Sequence, residues 1–357
     1  MKWYAITNRN LKRGRFKREP EPYGNIHFLE ATADMPEPNE YLELDHFGDS
    51  DDDDAKRVFL NRLRSELKSR AKRLRDAGEE QKPTLLLYLH GYNNDYDDAV
   101  EEYVELRRNF HAHVGRQAFE RQCLLVLFTW PSAGKVVAYL EDRDDARGSA
   151  LAVKHMVHLL FEVTNELTDC ISNVSVIAHS MGNYVLREAL TSIAGSPHAP
   201  AGTFIDQFLM IGADVSNTSL EPGGKGFGIT RFSNRVSVYY TPADSTLSKS
   251  KRKNGRPRLG RTLSSDYIET PDNVVFIDCR LWANGDKIDE IFPNDTPSVH
   301  SSYRSIPAII GDMFNVLRGV DREMFPARKT LVLNKLYLLT DQKFEQDVDA
   351  HVTGAKI

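Results

Sequence analysis

The sequence predicts an α/β fold in which a mostly parallel, doubly wound sheet is flanked by helices. From residue 84 onward, short and fully apolar runs alternate with longer segments of helical periodicity. Strands that are apolar along their whole length are buried on both faces, and crossover helices cover the faces of a parallel sheet. The apolar runs are residues 84–89, 124–129, 174–178, 208–211, 236–240 and 274–277.

The remaining elements follow from periodicity and from end signals. Helices are predicted near residues 99–119, 147–167, 181–193 and 306–317. The first eighty residues predict a strand at 3–7, extended stretches at 26–29 and 42–44, and a charged helix with leucines at steps of three or four. Aspartates at 49 and 51–54 fit the start of that helix, because carboxylates cap free amides, and Gly78 fits its end. Segments 216–232 and 245–261 are predicted loops, and 330–340 is either a strand or a short buried helix.

Composition excludes several classes of protein. The 357 residues carry 46 Lys and Arg against 51 Asp and Glu, a net charge of −5. This balance gives no overall attraction to nucleic acid, so no nucleic-acid partner is expected. Three scattered cysteines without a CxxC pair favour a reducing, cytoplasmic location. No apolar run is long enough to span a membrane. Oligomeric state and peripheral membrane contact stay open.

The strongest chemical signal is the segment VSVIAHSMGN at residues 174–183, an apolar strand that runs directly into a helix. A serine at such a corner sits on a tight turn that exposes its hydroxyl above the sheet edge. The turn needs small residues two positions before and after the serine, here Ala178 and Gly182. Ser180 is therefore the predicted nucleophile, with His179 and Gly182 in support, and its alternative role is that of a helix cap.

A serine nucleophile needs a general base and an acid that orients it. In this fold order the base follows both other residues in the chain. His198 comes too soon after Ser180 and His351 lies in the polar tail, which leaves His300, on a loop after residues 274–277. Asp244 follows the second strand after the serine and is the favoured acid. Asp214 follows the first strand and is the alternative.

The apolar run at residues 84–89 ends in His90-Gly91. Such a turn supplies half of an oxyanion hole through the next backbone amide, and the other half comes from the residue after the nucleophile. The predicted donors are the amides of Tyr92 and Met181. Gly91 would let the backbone approach the developing charge, and His90, which precedes the serine, would shape the turn.

Together these motifs resemble the α/β-hydrolase superfamily, and more closely an uncharacterised, largely bacterial group of serine hydrolases. The motifs of that group are present here as Thr7-Asn8-Arg9, HGYN at 90–93, TWPS at 129–132, AHSMGN at 178–183 and HSSY at 300–303, the last with one inserted serine. The resemblance covers roughly residues 1–320. It implies the α/β-hydrolase fold and a Ser-His-Asp apparatus, without a settled substrate.

The expected function is hydrolysis of carboxylic esters of small molecules or lipids through an acyl-enzyme, with no cofactor and no metal. A lipase or phospholipase with segment 216–232 as a lid is one alternative, and a catalytically silent binding module is another. Seven cations between residues 249 and 261 could form a rim that attracts an anionic substrate. Residues 1–330 are expected to form one domain, with N-terminal strands and helix in 1–80, a catalytic core in 84–320, and a C-terminal extension in 331–357.

Overall fold

The computed structural model describes residues 1–38, 40–132, 139–165, 172–197 and 199–340, with the backbone alone for 139–142 and 164–165. Eleven strands form one central sheet, and β2 (Arg9–Lys12) with β3 (Arg15–Pro20) forms a separate hairpin. The central strands are β1 (Lys2–Thr7), β4 (His27–Thr32), β5 (Asp45–Asp49), β6 (Thr84–Leu89), β7 (Cys123–Thr129), β8 (Asn173–His179), β9 (Ile205–Ile211), β10 (Ser233–Tyr240), β11 (Val274–Asp278), β12 (Arg328–Val332) and β13 (Leu336–Leu339).

The strand order across the sheet is β12-β13-β11-β10-β9-β8-β6-β7-β1-β4-β5. The eight strands from β13 to β1 run parallel to their neighbours, and antiparallel strands complete the two edges. The predicted fold class, a mostly parallel doubly wound sheet, is confirmed.

Helices cover both faces of this sheet. They are α1 (Asp53–Asp76), α2 (Tyr96–Phe110), α3 (Arg116–Gln122), α4 (Tyr139–Gly148), α5 (Ala150–Asn165), α6 (Gly182–Ala194), α7 (Phe227–Phe232), α8 (Ser245–Asn254), α9 (Gly285–Ile291) and α10 (Pro307–Leu317). Along β6, Leu85 and Leu87 face a core shared with α1, α5 and α6, whereas Leu86 faces a core shared with α2 and α10. The strand is apolar throughout because both of its faces are buried.

Several predicted boundaries need correction. Residues 42–44 form no strand, and the strand of that region is β5. The helix predicted at 99–119 is divided by a π-helical turn, His111–Gly115, between α2 and α3. The one predicted at 147–167 divides between α4 and α5, and residues 166–167 lie outside the described part of the chain. Segment 330–340 is a β-hairpin of β12 and β13.

The segment 245–261, predicted as a loop, contains helix α8. Asp244 caps its first turn, and Gly255, with φ of 68°, ends it in the left-handed conformation that glycine accepts without strain. Its lysines and arginines leave few apolar positions for periodicity to detect. Segment 216–232 likewise ends in the short helix α7. Strand β13, which sequence analysis placed in a C-terminal extension, pairs with β11 and continues the central sheet. Residues 341–357 lie outside the described chain.

The order of the strands fixes where a site can lie. The chain passes from β6 to β7 on one side and then returns to β8 on the other side of β6. Such a switch point opens a crevice beyond the carboxyl ends of the strands. His90 and Gly91 follow β6, and Ser180 follows β8. The predicted site residues therefore leave the sheet at one edge.

Candidate active site

Ser180 occupies a tight turn between β8 and α6. Its φ is 51°, a left-handed conformation that is uncommon and strained for a residue with a side chain. Neighbouring backbone holds the turn in place, because the Ser180 amide donates to Ile211 O at 3.0 Å and the Asp214 amide donates to Ser180 O at 3.1 Å. The strain is maintained by hydrogen bonds to the last residue of β9 and to the chain that follows it.

Gly182 is required by the close approach of two turns. A Cβ at this position would lie 2.7 Å from His90 O and 2.8 Å from Leu89 O, which is well inside contact distance. Two positions before the serine, the Ala178 carbonyl accepts a 2.7 Å hydrogen bond from Asn183 Nδ2. Both small residues flank Ser180 where the backbone of the turn folds back on itself.

His300 and Asp244 come together behind the turn. His300 Nδ1 lies 2.7 Å from Asp244 Oδ2, and the Asp244 side chain is wholly buried. Asp244 Oδ1 accepts from the Leu247 amide at 2.9 Å, so the same carboxylate caps α8. A carboxylate accepts hydrogen bonds only, which assigns the proton to Nδ1 and leaves a lone pair on Nε2.

The Ser180 hydroxyl and one ring nitrogen of His300 are unpartnered. Ser180 Oγ and His300 Nε2 are both buried, and neither has a hydrogen-bond partner among the described residues. The imidazole packs against Gly212, where a Cβ would lie 3.4 Å from His300 Cε1. Catalytic hydrogen bonds are often long in a free enzyme and tighten when substrate binds.

Asp214, the alternative acid, has a different partner. Its Oδ1 accepts from Arg258 Nε and from Ser250 Oγ, and Asp214 and Arg258 are 2% and 6% exposed. The carboxylate is thus occupied by a buried cation. The structure brings Asp244, and not Asp214, to His300.

The two other histidines near the turn have both ring nitrogens engaged. His90 Nε2 accepts from the Trp130 amide at 3.2 Å, so Nδ1 carries the proton and donates to Gly91 O at 2.8 Å. Trp130 also stacks on the ring at 5.3 Å. Burial and then the charge of Arg9 lower the pKa of His90 to about 3. His90 is therefore a neutral residue that shapes the turn.

His179 connects His300 to a buried charge cluster. Arg304 Nη1 donates to His179 Nδ1 at 3.2 Å, and His179 Nε2 donates to the carbonyl of His300 at 3.0 Å. Burial and the nearby Arg304 guanidinium hold the pKa of His179 well below its usual range. Arg304 itself pairs with Glu102 at 2.6 Å. Neutral His179 thus positions the loop that carries His300.

The residues predicted for the oxyanion hole lie on the two turns that follow β6 and β8. Gly91 abuts Ser180, since a Cβ there would lie 3.1 Å from Ser180 Cβ. Met181 is 1% exposed and directly precedes α6, and its amide donates to no atom of the described chain. Tyr92 is half-buried and packs against the core beside it.

Two buried arginines beside the site, Arg9 and Arg304, are not among the residues predicted from the sequence. Arg9 is 1% exposed, and its guanidinium donates to Asn94 O at 2.9 Å, to Thr129 Oγ1 at 3.1 Å and to Ser132 O at 3.4 Å. It ties together the loops that follow β6 and β7. The available signal was the Thr7-Asn8-Arg9 motif, which carries a charge inside an otherwise strand-like segment.

Other predictions concern the surroundings of the site. The histidines rejected as bases, His198 and His351, lie outside the described residues. Over the described ranges, no group of His, Cys, Asp and Glu could hold a metal ion. In that same part of the chain, no helix has the length and apolar character needed to cross a bilayer.

Comparison with known proteins identifies the family of this chain. Residues 66–299, more than half of the chain, match the family model described as "Alpha/beta hydrolase of unknown function (DUF900)". The uncharacterized protein alr1448 of Nostoc sp. is 20% identical over 68% of this chain and 76% of its own length. The lin2722 gene product of Listeria innocua is 13% identical, with a TM-score of 0.37, over 74% of this chain and 100% of that chain. The peroxisomal α/β-hydrolase Lpx1 of Saccharomyces cerevisiae is 10% identical, with a TM-score of 0.32, over 100% and 99% of the two chains. The family model covers the predicted nucleophile and acid and all the strands from β6 to β11, and the chain therefore belongs to this family of α/β hydrolases.

Proposed function

We propose that the chain is a serine hydrolase that cleaves carboxylic esters through an acyl-enzyme. Ser180 is the nucleophile, His300 the general base and Asp244 the acid that orients it. The observation that carries the proposal is the state of the His300 ring. Its Nδ1 is bound to a wholly buried carboxylate, and its Nε2 is unpartnered, as is the hydroxyl on the strained turn.

The reaction follows from this proton arrangement. Because Nδ1 keeps its hydrogen toward Asp244, Nε2 can take the proton of Ser180 as Oγ attacks the ester carbonyl. The Asp244 carboxylate stabilises the imidazolium that forms. His300 then returns the proton to the leaving alkoxide, and a water molecule repeats the sequence to release the acid from Ser180.

The negative charge on the carbonyl oxygen needs donors in place before it develops. We assign the amides of Met181 and Tyr92 to this role, on the two turns that meet at Gly91 and Gly182. Loss of a single such donor typically costs a factor of 10²–10³ in kcat. Backbone donors are fixed by the turns and require no reorganisation during the reaction.

Fluorophosphonate labelling tests the proposal directly, because the probe reacts with activated serines. The native chain is expected to be labelled and Ser180→Ala to be unlabelled. Ser237→Ala is the matched control, since Ser237 is also a buried serine with an unpartnered hydroxyl but lies in β10. Well-folded native protein without labelling would favour the binding-module alternative.

A second experiment separates small-ester from lipid hydrolysis. An ester series of increasing acyl length is assayed with and without micelles. Activity that peaks at short chains and ignores micelles indicates an esterase. Activity that rises at the micellar transition indicates the lipase alternative.

A further inference from the structure

A groove of about 290 Å³ lies beside α6, against the glycine-rich segment 216–226 and the end of the basic run. Three cations line it, namely Arg187, Lys225 and Arg256, together with the hydroxyl residues Ser219 and Thr218 and a single carboxylate, Glu221. We call it the Arg187 groove. It contains none of the residues assigned above to the reaction.

Two of its donors are buried and unused. Arg187 Nε and Ser219 Oγ have no hydrogen-bond partner among the described residues, and the two residues are 7% and 2% exposed. The Arg187 guanidinium is held in place, because it lies 4.4 Å over the Tyr184 ring and its Nη2 donates to Glu188. A buried donor without a partner is costly, so the two donors favour a ligand that accepts from both.

The charge of the groove selects an anion. Lys225 and Arg256 are both exposed, and both add positive charge at its edge. The opposing carboxylate is engaged elsewhere, since Glu221 Oε1 accepts from Ser264 Oγ at 2.7 Å and from the Asp266 amide at 3.0 Å.

The backbone of the groove is preformed. The Ser219 amide donates to Ser216 O at 2.9 Å, and the Gly226 amide donates to Ser219 O at 2.7 Å. A Cβ at Gly224 would collide with the carbonyls of Ser219 and Thr218, so the segment closes this tightly only with glycine there. An anion would meet donors that are already in position.

We propose that the Arg187 groove binds a phosphate group carried by the ester substrate. Arginine suits phosphate because its planar fork matches two oxygens at once. Arg187 lies five residues beyond Gly182, the first residue of α6, roughly 8 Å along the helix axis at 1.5 Å per residue. The substrate class is therefore an acyl ester that carries a phosphate remote from its scissile carbonyl. This inference rests on the proposed function for the identity of the ester.

The first test measures binding without catalysis. Ser180→Ala protein is titrated with inorganic phosphate by calorimetry at constant ionic strength. Saturable binding is expected. Arg187→Met is expected to weaken it at least tenfold, the usual effect of losing a charged hydrogen bond, and Ser219→Ala several-fold. The control is Lys68→Ala/Lys72→Ala, which removes two exposed cations of α1 that do not line the groove. Unchanged affinity in Arg187→Met and Ser219→Ala, or equal weakening in the control, overturns the site.

The second test links the groove to the substrate. Wild-type kcat/KM is compared for a phosphate-bearing acyl ester and a neutral ester of the same length. The preference for the anionic ester is expected to fall at least tenfold in Arg187→Met and to persist in the α1 control. Inorganic phosphate is expected to compete with the anionic ester. If phosphate binds in the groove but does not compete with the anionic ester, the groove binds free phosphate. That result overturns the assignment of a phosphate-bearing substrate. Absent fluorophosphonate labelling would refute the proposed hydrolase alone, because the titration does not depend on turnover.

Discussion

Replacing Asp244 or Asp214 by asparagine is expected to cause two different kinds of loss. Asp244→Asn places an amide against His300 Nδ1, where a carboxylate now accepts at 2.7 Å. The ring then loses its fixed tautomer and the charge that stabilises the imidazolium, and a fall of about 10³–10⁴ in kcat is expected. Asparagine caps helices as well as aspartate does, so α8 and the fold should persist.

Asp214→Asn should instead reduce stability. It removes the charge that faces Arg258, and both partners are more than nine-tenths buried. Leaving one member of a buried pair uncompensated costs about 3–5 kcal/mol. An unfolding entropy of roughly 2.1 cal/mol/K per residue over 357 residues converts this to a fall in Tm of about 4–7 °C. Turnover per folded molecule should stay within a few-fold of wild type.

The assay pairs kcat on a chromogenic acetate ester with Tm from calorimetry for both variants. A further control is Arg258→Met in the Asp214→Asn background, which should recover much of the lost Tm because an apolar replacement of a buried pair is close to neutral. The reasoning is refuted if Asp214→Asn loses kcat a thousandfold at unchanged Tm while Asp244→Asn keeps its turnover. The triad acid would then be Asp214.

Three further outcomes are expected. His179→Phe removes the donor to the His300 carbonyl, so kcat should fall about tenfold with KM little changed, as expected for one lost hydrogen bond; unaltered kcat would contradict the positioning role. Gly182→Ala forces a methyl group to 2.7 Å from His90 O, so a lower Tm is expected in calorimetry, and a wild-type Tm would show that the turn can relax. The pKa of His90, about 3, lies below its unfolded value near 6.5. Neutral His90 therefore contributes its full stabilisation above pH 6.5. As pH falls from 6.5 toward 3 the free energy of unfolding declines, by about 3 kcal/mol at pH 4.5, because the unfolded chain binds a proton that the buried ring does not. Urea unfolding at pH 7 and 4.5 should show a smaller loss in His90→Asn than in wild type, and an equal loss would assign the acid sensitivity to other groups.

The fold was predictable from the sequence because its strands are buried on both faces. Such strands are continuous apolar runs, and β6 was predicted at its observed bounds. Helix α8 was not, because it has few apolar positions and is exposed over much of its surface. Its two ends are defined by Asp244 and Gly255, and the aspartate had already been assigned to the site. The sequence does not show that one aspartate has two roles. Asp244 was interpreted as the acid, and its role as the cap of α8 was therefore not predicted.

The candidate site was predictable as a set of residues but not as a set of contacts. Chain order favoured His300 over the earlier and later histidines. Order favoured Asp244 but left Asp214 as an alternative, since each follows a strand beyond Ser180. The choice depends on Arg258, a partner 44 residues from Asp214 that only the folded chain brings to that carboxylate. The ring nitrogens of His90 and His179 likewise became assignable only with their donors and acceptors in place.

The N-terminal strands extend the sheet at one edge, and through Arg9 they also contribute to the candidate site. Strand β1 pairs in parallel with β7, and the residues that follow it place Arg9 beneath the loops after β6 and β7. Three donors of one guanidinium fix atoms on both loops, and one of these atoms, Thr129 Oγ1, contacts His90 Nε2 at 3.1 Å. The same charge helps to keep His90 neutral. A neutral His90 holds the turn that carries Gly91 against Ser180, so the geometry of the proposed oxyanion hole depends on a residue that precedes it by more than eighty positions.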